Sequence, residues 1–204
     1  MSAKRQQIVN AATRLFGLYG YHSVGIDWVI AEAHVTKTTM YRHFPLKTDL
    51  IVEVLQQRAQ ARARSLEAAL SQARSPLECM KKVFDWHHDW FNGEHFAGCM
   101  FAHAAAEFPS KGYPIHNAAV EQKAALTRRI EHILFELMDA DEAQALAPVI
   151  VMLLDGATLS VQVAGRTDAA TVAWTRAREM ILACSRTHSA PTRPDSRSVS
   201  VATS

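Results

Sequence analysis

The sequence predicts an all-α protein, and three observations carry that reading. Apolar residues recur at helical spacing along almost the whole chain, and no window gives a sustained period-two alternation. Gly, Pro, Ser and Thr fall where helices would begin and end. About nine helices are expected, three short-to-medium ones first and then a larger all-helical domain.

Over residues 4–19, apolar side chains at Ile8, Ala12, Leu15, Phe16 and Tyr19 keep the i, i+4, i+7, i+8, i+11 rhythm of a one-sided helix. Gly20 stands where a left-handed cap would stop it. A short helix is expected over 26–33 with Gly25 as N-cap. A second follows Thr36, whose hydroxyl can cap N–H groups two or three residues on. Pro45 breaks the chain before a long helix over about 47–73. Ser75-Pro76-Leu77-Glu78 reads as a helix start: Ser75 caps, Pro76 takes a first-turn position that needs no N–H, and Glu78 completes a capping box. That helix should reach about Phe91 and stop at Asn92-Gly93. Four more are expected at about 97–108, 114–138, 141–164 and 168–187, the last with Asp168 as N-cap after Gly165. From residue 189 the chain is Ser, Thr, Pro and Arg with almost nothing to bury, so a disordered tail is expected. The expected division is 1–48, 49–188 and a tail over 189–204.

Composition narrows the function classes. The chain has 204 residues, 49% hydrophobic and 21% charged, with a net charge of +2, which is ordinary for a soluble globular protein. The charge is unevenly spread: the first fifty residues carry six Lys/Arg (Lys4, Arg5, Arg14, Lys37, Arg42, Lys47) against three acids (Asp27, Glu32, Asp49). The basic excess therefore lies where a polyanion would be met. Apolar runs such as 148–154 are too short to span a bilayer. The start MSAKRQQ leads straight into a helical pattern, so neither a signal peptide nor membrane attachment is expected. Three widely spaced cysteines (Cys79, Cys99, Cys184) without a CxxC argue against a disulfide framework or a structural zinc site, and fit the cytoplasm. No metal and no cofactor is expected.

The informative stretch is 26–44. Two short helices joined by a tight turn make a helix-turn-helix, whose second helix lies in the major groove of double-stranded DNA. In that reading Val35, Met40 and Phe44 face inward. Thr36, Lys37, Thr38, Thr39, Tyr41, Arg42 and His43 face outward, a set of hydroxyls and cations without an acid. Lys47, at the start of the next helix, joins a positive charge to a helix N-terminus and would suit a phosphate.

The pattern Ala11-Ala12 … Leu15-Phe16 … Gly20-Tyr21 … Val29 … Ala33-His34-Val35-Thr36-Lys37-Thr38-Thr39-Met40-Tyr41-Arg42-His43-Phe44 … Lys47 … Leu50 resembles the DNA-binding domain of TetR-family regulators. Phe96-x-Gly98-Cys99-Met100-Phe101 … Glu107-Phe108-Pro109 … Pro114-Ile115-His116 looks like one subset of that family. The resemblance implies three N-terminal helices for DNA, a larger helical ligand-binding domain, and dimerisation through the last two helices. It also implies DNA contacts from Thr36, Lys37, Thr38, Thr39, Tyr41, Arg42, His43 and Lys47. The chain departs from the family at three positions: His34 where the turn usually has glycine, Gly25 where Ser or Thr usually caps, and Ile30 in place of a small alanine.

The larger domain carries an aromatic helix with Trp86 and Trp90 four residues apart, hence on one face. That face is either core or the wall of a small-molecule pocket. Cys99, His103 and Glu107 stack at i, i+4, i+8 beside Phe101 and Phe108, and are the candidate polar side of that pocket. The same three, with a histidine such as His87, His88 or His95, are an alternative metal set, and Cys99 an alternative redox switch. Gly156 and Ala157, with Val172, Trp174 and Ile181 on the last helix, would suit a four-helix homodimer interface, the alternative being that they only complete the monomer core. The expected function is a DNA-binding repressor, not an enzyme, released from a near-palindromic operator by a small-molecule effector. The rival is an all-helical small-molecule-binding protein or enzyme with a vestigial DNA-binding domain.

Overall fold

The structure, a computed structural model, describes residues 2–94 and 96–188. The expected tail over 189–204 and the candidate ligand His95 lie outside the described residues. Those described form helices α1 (Ala3–Tyr19), α2 (Ile26–Glu32), α3 (Lys37–His43), α4 (Lys47–Leu70), α5 (Pro76–Phe91), α6 (Met100–Glu107), α7 (Pro114–Leu134), α8 (Ala140–Ala164) and α9 (Ala169–His188), with no strand among them.

Local chemistry sets most of these boundaries. Ser2, Thr36 and Ser75 each accept the N–H of the residue three further on, at 3.3, 3.2 and 3.2 Å, satisfying donors that a helix start leaves free. Several expectations need adjusting. Glu78 accepts from Arg74 N (2.8 Å) rather than from its cap Ser75, so the capping box is shifted by one residue. Gly20 has a positive φ but an extended ψ (80°, 170°), a conformation nearly confined to glycine, and not the left-handed helical cap. Gly98, at φ 87°, delays α6 to Met100. The chain after Leu134 tightens into a three-residue turn, with Leu137 N donating to Leu134 O at 2.8 Å, so α7 stops short of Met138. Asp168 does stand at the N-cap position of α9, its carbonyl accepting Val172 N at 3.0 Å, while its carboxylate takes a two-point pair from Arg166 (3.1 and 2.8 Å).

Two apolar cores result. One gathers Ile8, Phe16, Tyr21, Val29, Met40 and Phe44 with the first half of α4 (Leu50, Ile51, Val54, Leu55), and recruits Phe101 and Ala104 of α6 and Ile115 of α7. The other joins the end of α4 to α5, α7, α8 and α9. A boundary at residue 48 thus falls inside α4, a helix that serves both cores, and not in a linker. Helix α8 is, by length and composition, apolar enough to cross a membrane (mean hydropathy 1.8), a longer stretch than expected; 44% of that window is buried within the protein. Its high hydropathy comes from two apolar faces, one in the core and one described below.

Candidate functional site

The α2–α3 turn is built from its backbone outward. His34 N donates to Ala31 O and Val35 N to Ile30 O, both at 3.2 Å. This 5→2 and 6→1 pair is the Schellman closure of a helix, and it forces the residue between cap and return into φ > 0. That residue is His34, at φ 49°, the only non-glycine with positive φ among the described residues. Ile30 and Val35 both pack, partly buried, against the N-terminal core, so the larger Ile30 is accommodated without opening the helix pair. Gly25 caps α2 without a side-chain hydrogen bond, and a methyl there would meet open space, so nothing steric requires glycine.

Beyond the turn, Met40 and Phe44 are buried and lock α3 onto α1 and α4, while Val35 is half-buried. Arg5 braces the same corner, with its guanidinium over the Phe44 ring (4.9 Å) and a two-point pair to Glu53 of α4 (2.8 and 2.8 Å). Thr36, Lys37, Thr38, Tyr41 and Arg42 are left exposed; Thr39, His43 and Lys47 are half-buried. Some of these already have partners. The Thr36 and Thr39 hydroxyls bond each other (2.9 Å), Lys37 lies 3.6 Å from exposed Asp27, and His43 Nε2 reaches Ser2 Oγ at 3.5 Å. Burial holds the Lys47 ammonium below its usual range, against the opposing charge of Glu107. Asp49, one turn into α4, accepts Leu46 N at 3.2 Å and occupies part of that helix start. Trp28, exposed on α2 with its ring tilted against that of Tyr19 at 4.8 Å, belongs to the same surface; no spacing in the sequence singled it out.

This unit is joined to the rest through α6. Glu107 accepts from Tyr21 N (3.0 Å), His22 N (2.6 Å) and His22 Nδ1 (2.8 Å), and the buried Tyr21 hydroxyl donates to Met100 O (2.8 Å). Burial pushes the Glu107 carboxyl up, but the donors of Tyr21 and His22 outweigh it and leave it below the usual carboxylate value. Phe108 stacks on His22 at 4.6 Å.

A family model described as "Bacterial regulatory proteins, tetR family" matches residues 8–54, which take in most of α1, all of α2 and α3, and the start of α4. The crystal structure of SCO4454, a TetR-family transcriptional regulator from Streptomyces coelicolor, superposes with a TM-score of 0.84 at 30% identity, covering 89% of this chain and 96% of that one. The chain belongs to the TetR family. Among curated relatives, the transcriptional regulator LmrA of Bacillus subtilis is 29% identical over 119 residues, which is 57% of this chain and 63% of LmrA. The transcriptional activator FasR of Mycolicibacterium smegmatis is 40% identical over 53 residues, 26% of this chain and 24% of FasR. These curated matches each span less than two thirds of the relative's length.

In this TetR-family chain the candidate pocket residues divide. Trp86 and Trp90 are half-buried and pack against the second core, and the guanidinium of Arg62 lies over both rings, 4.4 and 4.1 Å from their centroids. Trp86 lines a cavity of about 230 Å³ between α4, α5 and α7; Trp90 lines one of about 630 Å³ between α1, α4 and the start of α6. His87, between them on the helix, is core: it is buried, its Nδ1 bonds Val83 O at 2.8 Å, and burial pulls its imidazole down to about 3. The expected polar row does not converge. Cys99 precedes α6 and borders Arg62 and Phe101, His103 meets Gln162 (3.0 Å), and Glu107 and Phe108 are committed to the joint with α1 and α2. Among the described residues no group of three or more His, Cys, Asp or Glu is placed to hold a metal ion. Arg62 and Gln122, which line the same cavity as Trp86, had no signal in the sequence because no motif or spacing connects α4 to α7.

The candidate dimer residues divide too. Gly156 and Val172 are exposed, whereas Ile181 is fully buried, Ala157 is buried and Trp174 packs on Phe84 at 5.4 Å. Ile181 and Trp174 therefore complete the monomer core, because α9 turns that face towards α5. The open apolar face of α8 is instead Met152, Leu159 and Val163, exposed by 62, 59 and 77%.

Proposed function

We propose that this TetR-family chain is a homodimeric, cytoplasmic DNA-binding repressor that leaves its operator when a small-molecule effector occupies the helical domain. The carrying observation is α3: Met40 and Phe44 are locked in the core while an acid-free set of hydroxyls and cations stands outward. Thr36, Lys37, Thr38, Tyr41 and Arg42 would read or grip the DNA, with Thr39 and His43 at the margin and Lys47 on a phosphate. Residues 1–48 are the reading unit, and the helical remainder receives the effector and forms the dimer. The exposed row of Met152, Gly156, Leu159 and Val163 on α8, with Val172 on α9, supports that dimer, since an apolar surface of this extent is unfavourable in water. Two-fold pairing would set two α3 helices about 34–36 Å apart, in successive major grooves of a near-palindromic site. Effector binding would change this separation through the Glu107 joint.

The test is selection of an operator from random duplexes, followed by an anisotropy titration at physiological salt. A selected sequence should outcompete random duplex on the order of a thousandfold or more, and affinity should fall steeply with salt. If no sequence beats random duplex, regulation through DNA is ruled out. A reporter placed behind the operator decides sign: silencing supports repression, and stimulation would replace repressor by activator.

A further inference from the structure

The 230 Å³ cavity between α4, α5 and α7 has an unusual charge balance. Its walls are largely apolar, from Ala63, Leu66, Trp86 and Leu126. The acidic wall residue, Glu67, is already held by Arg129 at 2.5 and 3.0 Å. Arg62 is different. Among the described residues it makes no hydrogen bond or ion pair, and its guanidinium lies over the faces of Trp86 and Trp90. Arg58, one turn earlier on α4, is likewise in no ion pair among them and borders Arg62 beside Trp90. Two guanidiniums one turn apart therefore repel each other without a carboxylate between them. Burial, opposed by Cys99 and reinforced by Arg58, brings the Arg62 guanidinium down to about 10, which still leaves it charged at neutral pH. Indole faces compensate such a cation in part, but they leave the N–H edge of the guanidinium without acceptors. On the α7 side of the same cavity, Gln122 has a buried Oε1 with no hydrogen-bond partner.

We infer that this cavity receives a small carboxylic acid with an apolar, ring-sized body, its carboxylate paired with Arg62 and a ligand hydroxyl or amide bonded to Gln122. The assignment rests on the effector-released regulator proposed above and names the chemical class of its effector. The chemistry follows from what is missing at each wall. A guanidinium fork is matched by a planar carboxylate, which takes two parallel N–H bonds and cancels a buried charge in one step. A buried amide oxygen without a donor is costly, so a ligand that draws the Gln122 amide round into the cavity and supplies a donor gains affinity there. The space suits a single ring: a cavity of about 150 Å³ already admits benzene. A cation would be repelled by Arg62 and Arg58, and a bare inorganic anion would leave the apolar walls unfilled.

The experiment is calorimetric titration of the full chain with four probes at physiological salt: benzoate, benzamide, acetate and a hydroxybenzoate series. Benzoate should bind on the order of ten- to a hundredfold tighter than benzamide, which has the same shape without the charge. Acetate should be far weaker than benzoate. At least one hydroxybenzoate should exceed benzoate, and Gln122→Leu should abolish that gain while leaving benzoate bound. Arg62→Gln should bring benzoate and benzamide to within about twofold of each other, and Arg62→Lys should keep part of the preference. Benzamide equal to benzoate, acetate equal to benzoate, no binding of any probe at millimolar concentration, or an undiminished preference in Arg62→Gln would each overturn the assignment. The probe series on the unsubstituted protein decides the matter even if Arg62→Gln does not fold. Operator titration with bound benzoate separates the two readings: binding without a change in operator affinity leaves the carboxylate site standing and removes its effector role.

Discussion

Replacing Glu107 by alanine tests how the reading unit is held to the helical domain. Among the described residues Glu107 is the acceptor of Tyr21 N, His22 N and His22 Nδ1, at 3.0, 2.6 and 2.8 Å. Tyr21 is fully buried, so loss of its acceptor strands a donor, at a cost of about 1–3 kcal/mol. His22 is exposed, and water replaces most of its two bonds, so each contributes only about 0.5 kcal/mol. Glu107→Ala should therefore cost about 2–4 kcal/mol, a fall in Tm of about 4–16 °C for a protein of this size. Glu107→Gln keeps an acceptor oxygen and should cost about half as much. The carboxyl lies below its usual value of 4.5 in the folded protein, so its contribution is present above pH 4.5 and is lost as pH falls through the lower folded value. The gap between the unsubstituted protein and Glu107→Gln should accordingly close on acidification below pH 4.5 and stay constant above it. Scanning calorimetry gives the stability, and operator anisotropy with and without effector gives the coupling. Glu107→Ala should retain operator binding but respond less to effector, because α6 no longer grips the α1–α2 corner. A Tm within 1 °C of the parent, together with an unchanged effector response, would refute the role of this joint.

Three further outcomes are expected. Tyr41→Ala and Lys47→Ala should each weaken operator binding while unfolding free energy changes by no more than about 0.5 kcal/mol, and loss of the Lys47 phosphate contact should reduce the salt slope by about 1; chemical denaturation beside anisotropy at several salt concentrations checks both. His34→Val places a β-branched residue at φ 49° and should cost about 1–2 kcal/mol, whereas His34→Gly should be neutral or stabilising by up to about 1 kcal/mol, both read by denaturant titration. Leu159→Asp, on a side chain exposed by 59%, should leave the helical circular dichroism intact and shift sedimentation from dimer to monomer, with operator affinity falling as the two half-sites are no longer engaged together. A dimer that survives Leu159→Asp would place the interface elsewhere.

Residue order alone was enough for the helical class, most helix starts, and the α2–α3 unit, because these depend on interactions within a few residues. A cap needs Ser2, Thr36 or Ser75 beside the N–H it accepts, and the Schellman turn at His34 closes within six residues. Met40 and Phe44 could be assigned inward from helical period, since an isolated short helix has only one face to bury. Period could not say what that inward face meets, nor rank the faces of helices apolar on more than one side. Trp174 and Ile181 looked as suitable for a dimer as Gly156 and Val172, and only the packing of α9 against α5 sends the first pair into the core. Cys99, His103 and Glu107 share a spacing, but their partners come from α4, α8 and the α1–α2 corner, 37 to 86 positions away in sequence. Arg62 of α4 and Gln122 of α7 meet one cavity only because α4 and α7 pack side by side. Sequence thus determined which segments are helices and which short motif faces outward; tertiary structure decided which charges are left without partners, because that depends on neighbours supplied by distant parts of the chain.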